Sequence, residues 1–182
     1  KSVRGSDADA ALYWLARLLA GGEDPLYVTR RLARMAVEDI GLADPQAIQQ
    51  TIAARQVFEQ LGSPEGDLAL AQATVYLALA PKSNAVYRAW QGATAHAAET
   101  GSPPPPLDAL NAPTAMMREM GYGAGYLYDH DEPDAFAGQS YFPDNVSPTR
   151  YYTPVARGFE RDLQKRLQWF DKLRATERKK GL

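Results

Sequence analysis

The chain has 182 residues, of which 45% are hydrophobic and 23% charged, and its formal net charge is -2. This balance is ordinary for a globular protein and argues against a general nucleic-acid coat, which needs a basic field. The absence of cysteine excludes disulfides, zinc–thiolate sites, iron–sulfur clusters and a cysteine nucleophile, and no apolar run reaches the roughly 18–20 residues of a membrane span.

Five amphipathic segments separated by short turns fill the first hundred residues. An Asp or Ser at a helix start accepts hydrogen bonds from free backbone N–H groups. A proline just after it costs no hydrogen bond, because the N–H that it lacks would be unpaired at that position. These signals predict helices that begin at Asp7, Asp24-Pro25, Asp44-Pro45, Ser63-Pro64 and Ser83, and that end near Ala20, Gly41, Leu61, Pro81 and Thr100. Because the turns are short, successive helices should run antiparallel, as stacked helical hairpins.

Apolar residues on these predicted helices keep helical spacing. In the fourth helix Leu68, Ala71, Val75 and Leu79 form one stripe. The Ala- and Leu-rich faces are too extensive to be readily buried within a single layer of helices. They therefore indicate surfaces on which copies of the chain assemble.

The composition changes at Gly101. The run 101–106 contains four prolines and predicts a stiff, extended connector. A short helix is predicted over about 113–120, with Asn111 or Thr114 near its start. Residues 121–157 are then predicted to be irregular, with one helical turn near Pro133. Six tyrosines lie in this segment, and we interpret them as packing it down: Tyr122, Tyr126, Tyr128, Tyr141, Tyr151 and Tyr152.

A last amphipathic helix is predicted over about 158–176. Residues 155–182 hold nine Lys or Arg against four acids, about +5, so the rest of the chain carries about -7. The fold class is therefore all-α, with a helical domain at 1–100 and a loop-rich helical domain packed on it at 101–182. The basic last helix either attracts DNA phosphates or an acidic peptide, or is a solvated face. The candidate contacts are Arg161, Lys165, Arg166 and Lys172.

The sequence contains no recognisable ATPase machinery. An ATPase needs a glycine-rich loop ending in Lys and Ser or Thr, and a strand that ends in paired acids. Neither pattern occurs. We therefore predict that this chain does not hydrolyse ATP, and we assign it no catalytic, cofactor-binding or metal-binding residue.

Three local patterns have both a functional and a structural interpretation. His130, between Asp129 and Asp131, is a candidate metal ligand or acid–base group. It lacks the paired spacing of helical zinc sites, so a loop hydrogen bond is the better interpretation. His96 is interpreted as structural. The glycines of 121–126 suggest a tight turn rather than a phosphate loop, because no strand precedes them.

The third pattern is the start of the fifth predicted helix. Ser83 or Asn84 can cap this helix, and its free N–H groups could hold an anion with help from Lys82. Plain capping is the alternative interpretation, and it is the one that the residues favour.

Several long segments together resemble a known family. The most distinctive is Ala71–Tyr87, AQATVYLALAPKSNAVY. The others are Ser2–Arg17, Gly22–Arg31, Ala36–Pro45, Asn111–Thr114, Met120–Gly123 and Tyr128–Asp131. Across nearly all of its length the chain is similar to the C-terminal region of the replication-associated recombination protein A family, also called MgsA, which includes the eukaryotic Werner helicase-interacting protein.

This resemblance implies a fragment that follows a AAA+ motor, which would hold ATP and Mg²⁺. The C-terminal region would be helical, similar to the clamp-loader collar, and would assemble the protein as a homotetramer. Members of the family act at stalled forks and associate with DNA and with single-stranded DNA-binding protein, which implies a cytoplasmic, nucleoid-associated protein without a membrane partner. The chain departs from the family where Asp108-Ala109-Leu110 replaces a His-Leu-Arg stretch and Ala115 replaces Lys. Any contact of that loop with DNA or nucleotide is therefore doubtful here.

Three hypotheses follow in order of preference. The first is an assembly region built on apolar helix faces. The second is a binding module whose basic last helix captures an acidic peptide, such as the tail of single-stranded DNA-binding protein. The third is a stand-alone enzyme that uses His130 with Asp129 or Asp131.

Overall fold

The protein is all-α, as predicted. A computed structural model describes residues 1–180, and this part of the chain contains seven α-helices and no β-strand. The helices are α1 (Ala8–Ala20), α2 (Pro25–Met35), α3 (Gln46–Leu61), α4 (Asp67–Leu79), α5 (Ala85–Thr100), α6 (Ala115–Glu119) and α7 (Glu160–Lys180).

The chain forms two compact units. The first comprises Lys1–Gln91 and Tyr152–Gln164, and the second comprises Gly92–Tyr151 and the part of α7 from Lys165 onward. The domain division predicted at residue 100 stays a prediction.

Most helices begin at the capping residues where their starts were predicted. The side chains of Asp7, Asp24 and Asp44 accept backbone N–H groups at the starts of α1, α2 and α3. Of the two glycines after α1, Gly22 has the positive φ of +82° and Gly21 has a φ of -80°. Local side-chain chemistry therefore fixes these helix ends.

Three boundaries differ from the prediction. After α2 the chain continues as a π-helical turn, Ala36–Ile40, and a 3₁₀ turn, Gly41–Ala43. The predicted start of the fourth helix at Ser63 is wrong, because residues 62–66 form a turn in which the Gly66 N–H donates to the Gly62 carbonyl at 2.6 Å. The last helix begins at Glu160 rather than Gly158, whose φ of +51° is not helical.

The core of the first unit lies around α4, which packs against α1, α2 and α3. Leu70 and Leu77 of α4 are fully buried, as is Ile40 of the π-helical turn. Of the apolar stripe predicted for this helix, Leu68 and Leu79 lie on the opposite face, where they are 74% and 67% exposed, whereas Ala71 packs against the core and Val75 is half-buried. Helix α4 is therefore apolar on the face that fills the core and on the face turned to solvent.

The second unit combines part of α5, α6 and part of α7 with irregular chain. Thr114 caps α6 by accepting the Met117 N–H at 3.2 Å, and the turn predicted near Pro133 is confirmed as the 3₁₀ turn Pro133–Ala135. Two more 3₁₀ turns, Leu107–Ala109 and Asp129–Asp131, were not predicted.

The prediction that the tyrosines pack the irregular segment down is wrong for three of them. Tyr126, Tyr128 and Tyr141 are 45–54% exposed. By contrast, Tyr151 is half-buried, and its hydroxyl bonds to His96 Nδ1, which gives His96 the structural role expected of it. Part of this aromatic loop is thus left open to solvent.

Candidate functional site

The first unit exposes several large apolar side chains. On α1, Trp14 is 59% exposed, and on α5, Trp90 is 71% exposed. They add to the exposed stripe of α4. Single exposed apolar residues are normal, but here three helices of one unit each present large ones. These side chains are Tyr13, Trp14, Leu18, Leu68, Leu79, Val86 and Trp90.

The first unit also has an apolar groove of about 660 Å³. It is lined mainly by small and aliphatic side chains of α1, with Ala71 of α4 opposite. The residues lining it are Leu12, Leu15, Ala16, Leu19, Ala20, Pro25, Ser63, Asp67 and Ala71. A groove of this composition matches the side chains of an apolar helix better than a charged ligand.

The turn 81–84 contains three residues predicted as anion contacts. Lys82 Nζ donates to the carbonyls of Ala78 at 2.8 Å and Ala80 at 2.6 Å, so it caps the carboxyl end of α4. Burial lowers the pKa of Lys82. Because the ammonium group already serves two carbonyls, its main role is structural.

Ser83 is buried and belongs to a second capping network. Its hydroxyl accepts the Ala85 N–H at 3.1 Å at the start of α5, and it donates to Glu160 Oε2 at 2.9 Å. The same carboxylate oxygen accepts the Val155 N–H at 2.7 Å. Plain capping is thus the role that the structure gives Ser83, while the Asn84 side chain is exposed.

Glu160 was not among the residues predicted to form a site. It is fully buried at the first position of α7 and ties the turn before α5 to the chain that precedes α7. The Tyr152 hydroxyl lies near the same carboxyl; burial and the charge of Glu160 raise the pKa of this tyrosine to about 12. An acid in a first helical turn is ordinarily exposed, so no local sequence signal indicated its burial.

We expect Glu160→Ala to destabilise the first unit by about 2 kcal/mol, because the buried Ser83 hydroxyl and Val155 N–H lose their acceptor. Glu160→Gln, which keeps an acceptor oxygen, should lose less. Urea unfolding followed by circular dichroism measures both. Equal stability of the Ala variant and the parent chain would contradict this role for the carboxyl.

The turn 81–84 also borders a charged cleft of about 380 Å³ in the first unit. Arg4 Nε lies 2.6 Å from Asp39 Oδ1, and Arg34 Nε lies 2.8 Å from Glu38 Oε2. The cleft is lined by Arg4, Glu38, Asp39, Lys82, Ser83, Asn84, Tyr87 and Arg157. Because the two acids neutralise much of the basic charge, the cleft has little excess positive charge with which to hold an anion.

The predicted basic contacts on α7 are all exposed, and their role stays a prediction. Arg161 belongs to the first unit, and its Nε donates to the Gly158 carbonyl at 3.3 Å. Lys165, Arg166 and Lys172 are exposed and belong to the second unit. Lys165 and Arg166 each have interaction partners. The side chains of 177–180, and residues 181–182, lie outside the described part of the chain.

The His130 segment is a 3₁₀ turn with an exposed histidine. Its ring stacks at a tilt on Tyr128, with 5.1 Å between centroids. Within the described residues, no group of three or more His, Asp or Glu side chains is placed to hold a metal ion. None of the helices described is long and apolar enough to cross a membrane.

These features define an all-α domain with exposed apolar side chains and structural polar networks. The family model described as MgsA AAA+ ATPase C terminal matches residues 5–171. The chain therefore belongs to this family of AAA+ ATPase C-terminal regions, and the resemblance found in the sequence is confirmed.

Curated relatives support the same conclusion. The chain is 54% identical over 174 residues to replication-associated recombination protein A of Coxiella burnetii, with 95% of this chain and 40% of the relative covered. The protein of the same name from Escherichia coli K12 is 54% identical over 170 residues, with coverages of 93% and 38%. ATPase WRNIP1 of Dictyostelium discoideum is 44% identical over 153 residues, with coverages of 84% and 18%. The chain spans about two fifths of the length of these Coxiella burnetii and Escherichia coli relatives.

Proposed function

We propose that this chain is the subunit-assembly region of a AAA+ ATPase that acts in replication-associated recombination, and that it joins the subunits as a homotetramer. The observation that carries the proposal is the exposed apolar face of α4, opposite the face that fills the core. Closed symmetric assemblies bury surfaces of this kind between identical subunits. A collar-like arrangement of the tetramer is part of the proposal.

Chemistry on phosphates belongs, in this proposal, to the rest of the protein. A motor there binds ATP and Mg²⁺, and the whole protein contacts DNA and single-stranded DNA-binding protein at the bacterial nucleoid. The family description and the names of the bacterial relatives support this division. The experiment that tests the assembly role is a solution molar mass, measured before and after charged residues replace the exposed apolar ones.

A second candidate function is capture of an acidic peptide by α7. It is favoured by the exposure of Lys165, Arg166 and Lys172 on this helix. It is compatible with assembly, because it uses the second unit rather than the apolar surface of the first.

Reversal of these three charges to Glu is expected to abolish binding of a labelled oligo-aspartate peptide without changing the molar mass. Fluorescence anisotropy at low salt measures the binding, since screening weakens exposed charge pairs. The matched control replaces three exposed arginines of the first unit, Arg17, Arg31 and Arg55, by Glu. Peptide binding that survives the α7 reversal would discard this candidate.

A further inference from the structure

Two exposed tyrosines of the second unit, Tyr126 and Tyr141, border a cavity. It has a volume of about 510 Å³ and lies between the segments 108–112, 123–126 and Tyr141. We call it the Asp108 cavity. Tyr126 is 45% exposed and Tyr141 54%, so both rings contribute open aromatic surface to its walls.

Asp108 supplies a carboxylate with little compensation. Its Oδ1 atom is buried and has no hydrogen-bond partner, and its Oδ2 accepts only a long bond of 3.4 Å from Gln139 Nε2. Gln139 is itself fixed, because its Nε2 donates to the Gly125 carbonyl and its Oε1 accepts the Leu127 N–H. A buried carboxylate oxygen without a donor is costly, so the site has an unmet requirement for a hydrogen-bond donor, and a cationic group would supply one together with the opposite charge.

The other residues that line the cavity supply no such charge. A second cavity, of about 550 Å³, also has Asp108 in its wall, together with Asp144. Among the described residues that line the two cavities there is no Lys, Arg or His. Arg118, which lines neither cavity, does contact the wall, since its Nη1 donates to the Ala112 carbonyl at 3.1 Å. Among the described residues, the cavities themselves therefore hold no basic group of their own.

The Tyr141 hydroxyl donates to Asp129 Oδ2 at 3.2 Å, which holds its ring beside the cavity. Aromatic faces attract cations, most strongly where water is partly excluded. One carboxylate beside two tyrosine rings is the arrangement that recognises an organic cation rather than a hydrated metal ion, for which one carboxylate is too few ligands.

We propose that the Asp108 cavity binds a guanidinium or ammonium group on an aliphatic stem, as presented by an arginine or lysine side chain of a partner protein. Aliphatic walls from Ala109, Leu110 and Ala112 suit the stem, and the volume lies in the range of about 300–1,000 Å³ that is usual for ligand sites. This inference is independent of the assembly role proposed for the first unit.

The test uses the full chain and pairs of matched ligands. The peptide N-acetyl-Gly-Arg-Gly-amide is compared by calorimetry with the same peptide containing citrulline, which has nearly the same shape without the charge. N-acetyl-arginine-amide distinguishes a free small molecule from a peptide. The arginine peptide is expected to bind at least about tenfold more tightly than the citrulline peptide, in keeping with cation–π and charge contributions of this order.

Variants locate the binding. Asp108→Asn keeps the shape of the side chain and is expected to weaken binding of the arginine peptide by about tenfold. Asp131 is an exposed acid that lines neither cavity, so Asp131→Asn should leave the binding unchanged. Tyr126→Ala should also weaken binding, and Tyr141→Phe, which keeps the ring, should retain it. Circular dichroism serves as the control that each variant is folded.

Three results would overturn the proposal: equal affinity for arginine and citrulline peptides, unchanged affinity in a folded Asp108→Asn variant, or tighter binding of an acidic peptide that requires Asp108. Equal binding of the free arginine amide and the peptide would support the cationic class while assigning the ligand to small molecules. The molar mass of the assembly should not change in any of these variants.

Discussion

Replacing Leu68 and Leu79 together by Glu is expected to convert assemblies of this chain into monomers. Both side chains project from the face of α4 opposite the core, where they are 74% and 67% exposed. The substitutions should therefore leave the fold intact. In an interface each leucine would contribute about 1.5–3 kcal/mol by burial, and each glutamate would instead place an unpaired charge there.

Size-exclusion chromatography with light scattering at tens of micromolar measures this change. The matched control places two glutamates on exposed apolar positions of the second unit, Leu107 and Met116. It carries the same added charge, so general repulsion would affect both variants equally. An α4 variant that is folded and keeps the parent mass would exclude this face from the interface.

Gly158→Ala is expected to destabilise the chain by about 3 kcal/mol or more, through backbone strain and overpacking. Gly158 has a φ of +51°, and a Cβ there would lie 2.0 Å from the Ala43 carbonyl oxygen. The neighbouring Phe159 N–H donates to that same carbonyl at 2.8 Å, which holds the two segments together. A side chain at 158 must therefore push them apart.

Urea unfolding followed by circular dichroism gives the size of this effect. Gly92→Ala is the control, because its Cβ would meet Tyr151 Cδ1 at an ordinary 3.6 Å and Gly92 lies within α5. Alanine is the better helix former, so this variant should gain about 0.5–1 kcal/mol. If Gly158→Ala were as stable as the parent, the close approach of residue 158 to Ala43 would not be a feature of the folded chain.

The helical class and most helix starts were predictable because they depend on local chemistry. A capping carboxylate such as Asp7 or Asp24 acts within three residues of itself, so its signal is complete in the sequence. The start of α4 was misplaced because Ser63-Pro64 is compatible with both a helix start and a turn, and packing rather than the dipeptide selects the turn.

The apolar stripe of α4 shows what local patterns lack. Spacing groups Leu68 with Leu79 on one side and Leu70 with Leu77 on the other, but both sides are apolar. Which side fills the core depends on the neighbouring helices, and a periodicity analysis contains no information about them. The exposed stripe became evident only once the buried one was known.

The polar sites were predictable only in part. Ser83 was identified as a cap, but its partner Glu160 is 77 residues further along the chain. The lone carboxylate of Asp108 and the exposed rings beside it likewise come together from distant segments. Contacts of this kind depend on tertiary structure, so residue type and spacing do not reveal them.

Sedimentation equilibrium of the unmodified chain measures whether it forms the proposed tetramer. We expect a mass of about 80 kDa at tens of micromolar, four times the 20.0 kDa of one chain. A mass of 20.0 kDa across that concentration range would contradict it, since the exposed apolar faces of α1, α4 and α5 would then remain in water without joining subunits.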